Sequence, residues 1–390
     1  ACIRYFYHRR HVIHNILHQH LELCMQNRLR SVALLSQRLE ATISSLPPAG
    51  LIDVHTHAVD PHLPDLGRRH GTDRWPSVER TGERTAWLTY GGQPYRQIDH
   101  RCWSAEARLL DMDRDGVAMQ VISPIPVTFC YDSDPGGAAE LAAAQNDFFA
   151  RIVAEHPTRF AALGAVALQD PDLAVTELRR CMSRPGFLGV EIATQVRGAE
   201  LADERFDRFF SAASELDALV LVHPRDEDLP VRMAGLRMGF GAGMPLETAT
   251  AAASLLNTGA LVRRPAVRLC LAHGAGALSA IIGRLDKGAM IAGLPSDSAE
   301  LPSRLARSLW CDSLTYSRTA LLAAVDVFGA DHVVFGSDYP FPAVPEPIDD
   351  IVADLPPELK DRINRTNLEN LYGALPWTGP DALSAAGGHG

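Results

Sequence analysis

Five residues of this chain combine a side chain that can bind metal or move protons with a place at the end of an apolar run. His55 and His57 end LIDVHTH (51–57), His223 ends ALVLVHP (218–224), His273 ends VRLCLAH (267–273) and Asp338 ends HVVFGSDY (332–339). If these runs are strands, side chains at i and i+2 point to the same side, so His55 and His57 can face one ion. A single histidine at a strand end is ordinary, and an HxH pair is a weak signal. Five such residues at matching ends of different strands point to a metal site. His55, His57, His223 and Asp338 would supply three nitrogens and one oxygen, with water completing the shell. One divalent ion is expected, zinc suiting this donor set and manganese being the other candidate, with one position kept open. Such an ion lowers the pKa of bound water toward about 7, and spacing alone leaves open whether His273 is a further ligand or a group that titrates beside that water. Glu191, in LGVEIAT (188–194), is one more carboxylate on a strand. It is read as a hydrogen-bonded structural group, with a bridge to a second metal as the other reading.

The elements that must position these residues follow from the alternation of apolar and helical stretches after residue 51. Eight runs read as strands: 51–57, 117–123, 160–168, 188–194, 218–224, 267–273, 308–313 and 332–339. Between them lie helical patterns such as 138–156, 171–182, 205–216 and 317–328. Near-continuous apolar strands separated by helices indicate an α/β fold with a parallel sheet buried on both faces. Eight βα units close into a (β/α)8 TIM barrel, whose active site lies at the C-terminal ends of the strands. An open doubly wound sheet would need a glycine-rich phosphate loop after an early strand, and none is present. Residues 61–104 form a polar insertion after the first strand, expected to be a lid or wall over the barrel mouth.

The barrel is assigned to residues 49–376, flanked by an N-terminal extension (1–48) and a C-terminal tail (377–390). Within the extension, 14–43 has the pattern of an amphipathic helix ending before Pro47 and Pro48. His8, His11, His14, His18 and His20 there are read as a solvated face rather than a metal site. Across the 390 residues, 46% are hydrophobic and 22% charged, ordinary for a globular protein with a sizeable core. A formal net charge of −10 argues against a nucleic-acid partner, and no apolar run is long enough to cross a bilayer. Seven cysteines are scattered without a CxxC pair, which suits a reducing, cytoplasmic compartment.

The segments LIDVHTH, HPRD, CLAHGAGA and FGSDYPFP resemble those of the amidohydrolase-related decarboxylases, within the amidohydrolase superfamily. The resemblance runs from about 51 to 373 and extends to 95–123, 159–181 and 243–249. It implies that His55, His57, His223 and Asp338 are metal ligands, that His273 is the catalytic histidine, and that Asp338 shares in catalysis. The implied reaction is non-oxidative loss of CO2 from a small unsaturated or aromatic carboxylic acid, without an organic cofactor. Arg96, in YRxxxxxCW, resembles an arginine that recognises the substrate carboxylate, for which a guanidinium fork is suited. Trp103 of the same motif and Phe341 of DYPFP are taken with it as substrate-binding residues. Arg284, in IIGRLDKG, resembles an arginine inserted into the neighbouring subunit's site, which implies a homodimer.

Two departures stand out. The second family arginine after Arg284 is missing from DKGAMIAGLP, and Arg225 occupies the place of a tryptophan. Together they suggest an altered substrate, such as an aminobenzoate- or hydroxybenzoate-like acid, with Arg225 at the binding site. A metal-dependent hydrolase or hydratase is the alternative, distinguished by addition of water in place of CO2 release. A silent binding barrel is disfavoured, because all five polar positions are retained.

Overall fold

The computed structural model describes residues 50–70, 74–235, 238–341 and 350–372. The helix expected over 14–43, the histidines of the extension and the 377–390 tail lie outside these residues. Eight parallel strands form one sheet in chain order: β1 (Leu51–Ala58), β2 (Val117–Pro124), β3 (Phe160–Gly164), β4 (Phe187–Ala193), β5 (Leu219–His223), β6 (Arg268–Leu271), β7 (Trp310–Asp312) and β8 (Val333–Val334). Every residue of β1 to β5 is buried, which is why these segments read as continuous apolar runs rather than alternating ones.

The barrel closes through the segment after β8. Val54 N donates to Phe335 O at 2.9 Å, Asp338 N to His55 O at 2.8 Å, and His57 N to Tyr339 O at 2.7 Å. The regular ladder of β8 is shorter than the expected 332–339, because the following amides turn to other acceptors. Phe335 N donates to Ile363 O, Gly336 N to Ser313 Oγ and Ser337 N to Asp53 Oδ1. Glycine is required at 336, where a Cβ would lie 2.8 Å from His55 Cβ and 2.9 Å from Asp312 Cβ. The closing segment therefore runs tightly against two residues of the site.

Helices cover the outside: α1 (Ala105–Asp115), α2 (Pro135–Glu155), α3 (Pro171–Met182), α4 (Asp207–Glu215), α5 (Met244–Asn257), α6 (Leu278–Ile291) and α7 (Arg318–Phe328). Their starts follow sequence signals. Ser104, Asp134, Asp170 and Ser317 accept hydrogen bonds from first-turn amides, and proline opens α2 and α3. None of the described helices is long and apolar enough to cross a membrane.

The insertion is more ordered than a polar lid. Residues Pro76–Arg80, Thr85–Tyr90 and Gln93–Asp99 form a three-stranded antiparallel sheet. Gly91 and Gly92, both at positive φ, make the turn between its last two strands. TAWLTY alternates, burying Ala86, Leu88 and Tyr90 with Trp75 and Ile98 in a small satellite core. That core seats the sheet beside the barrel mouth.

Candidate metal centre and its pocket

The strand ends bring His55, His57, His223, His273 and Asp338 together. The rings of His55, His57 and His223 lie 5.0 Å apart by centroid, and His273 lies 4.9 Å from His223 and 5.2 Å from His55. Asp338 Oδ1 is 2.8 Å from His57 Nε2 and 3.6 Å from His55 Nε2.

Three of the histidines share one arrangement. His55 Nδ1 meets Asp312 Oδ2 at 2.6 Å, His57 Nδ1 meets Pro124 O at 2.8 Å, and His223 Nδ1 meets Pro224 O at 2.7 Å. A carbonyl oxygen can only accept, so Nδ1 carries the proton in His57 and His223. A carboxylate imposes the same on His55. Each ring thereby turns its Nε2 toward the centre, as metal-binding histidines do. The Nε2 atoms of His55 and His57 then face each other at 3.2 Å, and that of His223 is buried with no partner. Nitrogens converging beside a carboxylate in a dry site need a cation among them, a proton on His55 in the metal-free protein or a metal ion in its place, so the residues present fit a metal ion.

Proximity alone does not separate ligand from catalyst. Donor atoms of His55, His223, His273 and Asp338 lie within 4.8 Å of one another, and those of His57, Glu191 and His223 form an overlapping group. Glu191 is fully buried in the barrel, with neither oxygen hydrogen-bonded and His57 Nδ1 at 3.8 Å. The expectation of a hydrogen-bonded structural carboxylate is thus not met: β4 aims Glu191 inward, and the nearby Ser123 hydroxyl, which acts to lower its pKa, donates to Thr56 O at 3.0 Å.

The electrostatics follow from burial and from Asp312. Burial pushes the His55 imidazole down, but the Asp312 hydrogen bond and charge outweigh it and raise the ring to about 9. Burial and the neighbouring His55 charge hold His273 below the usual histidine range, and His223 lies well below it for the same reason of burial first. For Asp338, burial acts upward, yet the His57 hydrogen bond and surrounding imidazoles hold the carboxyl low. Burial raises Glu191, and it raises Asp53 to about 7 against the hydrogen bonds from Ser337.

Asp312, at the end of β7, organises two parts of the centre. Besides His55 it accepts the amides of His273 and Gly274, each at 2.9 Å, and that of Leu314 at 3.0 Å. These bonds hold an unusual backbone, with φ between 58° and 60° at His273, Gly274, Ala275 and Gly276; Asp338, at φ 63°, is held instead by its amide bond to His55 O. For a residue with a Cβ this region costs on the order of 1–3 kcal/mol, which the buried amide–carboxylate bonds offset. The sequence reading missed Asp312, although it ends SLWCDS under the rule that found the other five.

The mouth above these residues is a pocket of about 550 Å³ that reaches His57, His223 and Asp338. The inserted sheet forms one wall. Arg96 lies there with its guanidinium 4.9 Å above the Phe341 ring, and that ring is 6.3 Å from His57. Asp226, three residues after His223, also lines the pocket and was not singled out from the sequence.

The remaining expected residues lie elsewhere. Trp103 is not part of the pocket lining; it packs against the core, with the Arg80 guanidinium 4.5 Å above its ring. Arg225 is buried away from the lining, giving hydrogen bonds to Asp228 at 2.8 and 2.5 Å, so its charge is already matched. Pro224 and Asp226 face the pocket on either side of it, and Arg225 turns into the protein. Arg284 is exposed on α6 and does not line the pocket.

The amidohydrolase family profile matches residues 52–374. The chain is 33% identical over 336 residues to a 2-amino-3-carboxymuconate-6-semialdehyde decarboxylase from Dictyostelium discoideum, covering 85% of this chain and 92% of the relative. A crystal structure of 5-carboxyvanillate decarboxylase from Sphingomonas paucimobilis aligns with a TM-score of 0.68 at 25% identity, covering 85% of this chain and all of that one (100%). The same fold is seen in a dihydroxybenzoic acid decarboxylase from Polaromonas sp. JS666, solved with bound manganese and the inhibitor 2-nitroresorcinol. There the TM-score is 0.63 at 23% identity, covering 83% of this chain and 97% of that one.

Proposed function

The chain belongs to the amidohydrolase family, and from that premise we propose that it is a metal-dependent, non-oxidative decarboxylase of a small unsaturated or aromatic carboxylic acid. The observation that carries this reading is the set of Nε2 atoms converging beside Asp338 at the floor of a pocket walled by Arg96. His55, His57, His223 and Asp338 would hold one divalent ion, which supplies Lewis-acid polarisation of the bound acid. Zinc suits three imidazoles and a carboxylate, and manganese is the second candidate.

The chain's own groups supply the rest. Arg96 takes a substrate carboxylate in its fork, and Phe341 offers a flat apolar surface to the unsaturated carbons. The buried surroundings exclude water from the carbon that reacts. As the bond to the departing carboxylate breaks, CO2 leaves and the electron pair stays on that carbon. His273, whose buried Nδ1 has no protein partner, delivers the proton that completes the product. Its lowered pKa makes the protonated ring a stronger acid, and the ring, mostly neutral at pH 7, first takes that proton from solvent. Arg284, exposed on α6, reaches the site of a second subunit in a homodimer, and the protein works in the cytoplasm, where its buried thiols such as Cys181 and Cys270 stay reduced.

Elemental analysis of purified protein, with His57→Ala and Asp338→Ala alongside, tests the centre. About one zinc or manganese per chain in the wild type and none in either variant is expected. Release of CO2 from aminobenzoates and hydroxybenzoates tests the reaction. Net addition of water to a lactone or enoic acid, without CO2, would instead establish a hydrolase or hydratase.

A further inference from the structure

The pocket contains two carboxylates that the proposed chemistry does not use, Asp99 and Asp226. Asp226 follows β5 and lines the pocket beside Tyr95, Arg96 and Phe341. Its Oδ2 accepts the Tyr95 hydroxyl at 2.7 Å and lies 3.4 Å from Arg96 Nη2. Its Oδ1 accepts no hydrogen bond from the described residues. The other lining carboxylates are committed. Asp99 gives both oxygens to Arg101, and Asp338 belongs to the metal centre. Arg225, the residue before it, is held by Asp228 and leaves the Asp226 charge unmatched from that side.

We propose that Asp226 is a specificity-determining residue that accepts a hydrogen bond from an amino or hydroxyl group adjacent to the carboxylate taken by Arg96. The inference rests on the reading of the pocket as a carboxylic-acid site. Arg96 and Asp226 stand side by side, one a fork of donors and the other an acceptor with a spare oxygen. An acid with a neighbouring N–H or O–H satisfies both. An acid without one brings its carboxylate close to a carboxylate with no proton between them, so discrimination works by attraction and by repulsion. The Tyr95 hydroxyl fixes the rotamer of Asp226, and burial of that phenol keeps it a donor.

The alternative is that Asp226 only positions Arg96, which the 3.4 Å contact allows. The two roles differ in what they do to different acids. Calorimetric titration of the zinc-loaded full chain with benzoate, 2-aminobenzoate and 2-hydroxybenzoate separates them. The wild type is expected to bind the two substituted acids about tenfold or more tightly than benzoate, the scale of a hydrogen bond to a charged group. Asp226→Ala should abolish that preference while benzoate binds as well as before or better, and Tyr95→Phe should reduce it. An equal loss for all three acids in Asp226→Ala assigns the residue to positioning and overturns the proposal, as does an unchanged preference. Arg96→Ala tests the underlying reading separately: it should weaken all three, and unchanged affinities there refute the carboxylate site itself.

Discussion

Replacing Asp312 with asparagine should change metal affinity in a way that depends on pH, because the carboxylate does two opposed things to His55. It orients the ring and raises its basicity, and losing such an outer partner typically weakens metal binding by about 10–100-fold. It also raises the His55 pKa from 6.5 to about 9 in the metal-free protein. A metal must displace that proton, so at pH 7 proton competition lowers wild-type affinity by roughly 100-fold relative to a fully deprotonated site. The variant loses the support and the competition together. Near pH 7 the two effects nearly cancel, and above pH 9 the full deficit of about 10–100-fold should emerge.

Stability of the metal-free protein gives an independent reading of the same bond. A histidine whose folded pKa is raised stabilises the fold fully below its unfolded value, here 6.5, and loses that contribution as pH rises through about 9. The shift corresponds to ~3 kcal/mol, so metal-free wild type should become less stable between those pH values, and Asp312→Asn should lack this slope. Chelator competition with zinc from pH 6 to 9.5, and thermal unfolding of metal-free protein over the same range, are the assays. Circular dichroism establishes that the variant is folded. A wild-type to variant affinity ratio that stays constant with pH would refute the reasoning.

Three further outcomes follow from particular residues. His273→Gln should retain its metal yet release CO2 at least 100-fold more slowly, the usual scale for losing a general acid; full activity would remove His273 from the chemistry. Gly276→Ala should destabilise the protein by more than about 1 kcal/mol in denaturant unfolding. Its φ of 59° disfavours a side chain, and a Cβ there would collide with the Pro245 carbonyl. Glu191→Gln should make the metal-free protein more stable at pH 8, because burial holds the wild-type carboxyl above its usual range and ionising it costs stability. The gain should vanish as pH falls below the ordinary carboxyl range, where the group is neutral folded or unfolded. A gain that is the same at pH 8 and pH 4 would show that the buried charge is not its origin.

Much of the protein was legible in residue order because the relevant physics is local. Continuous apolar runs separated by helical stretches require a parallel sheet covered on both faces, and polar residues ending those runs can only gather at one mouth. His55, His57, His223, His273 and Asp338 could be found that way, and the structure brings all five together. The alternation of TAWLTY was equally visible, but the polar residues around it obscured the three-stranded wall. Only the tertiary structure decided where charges find partners. Asp312 reaches His55 across 257 positions of chain, and Asp226 meets Tyr95 across 131. Arg225 looked free beside His223 until its rotamer turned it to Asp228, and Glu191 looked hydrogen-bonded until the barrel enclosed it with the neighbouring Ser123 hydroxyl turned to Thr56 O. Strand periodicity tells which face a side chain takes, but whether a buried charge is matched depends on what the closing barrel places opposite it.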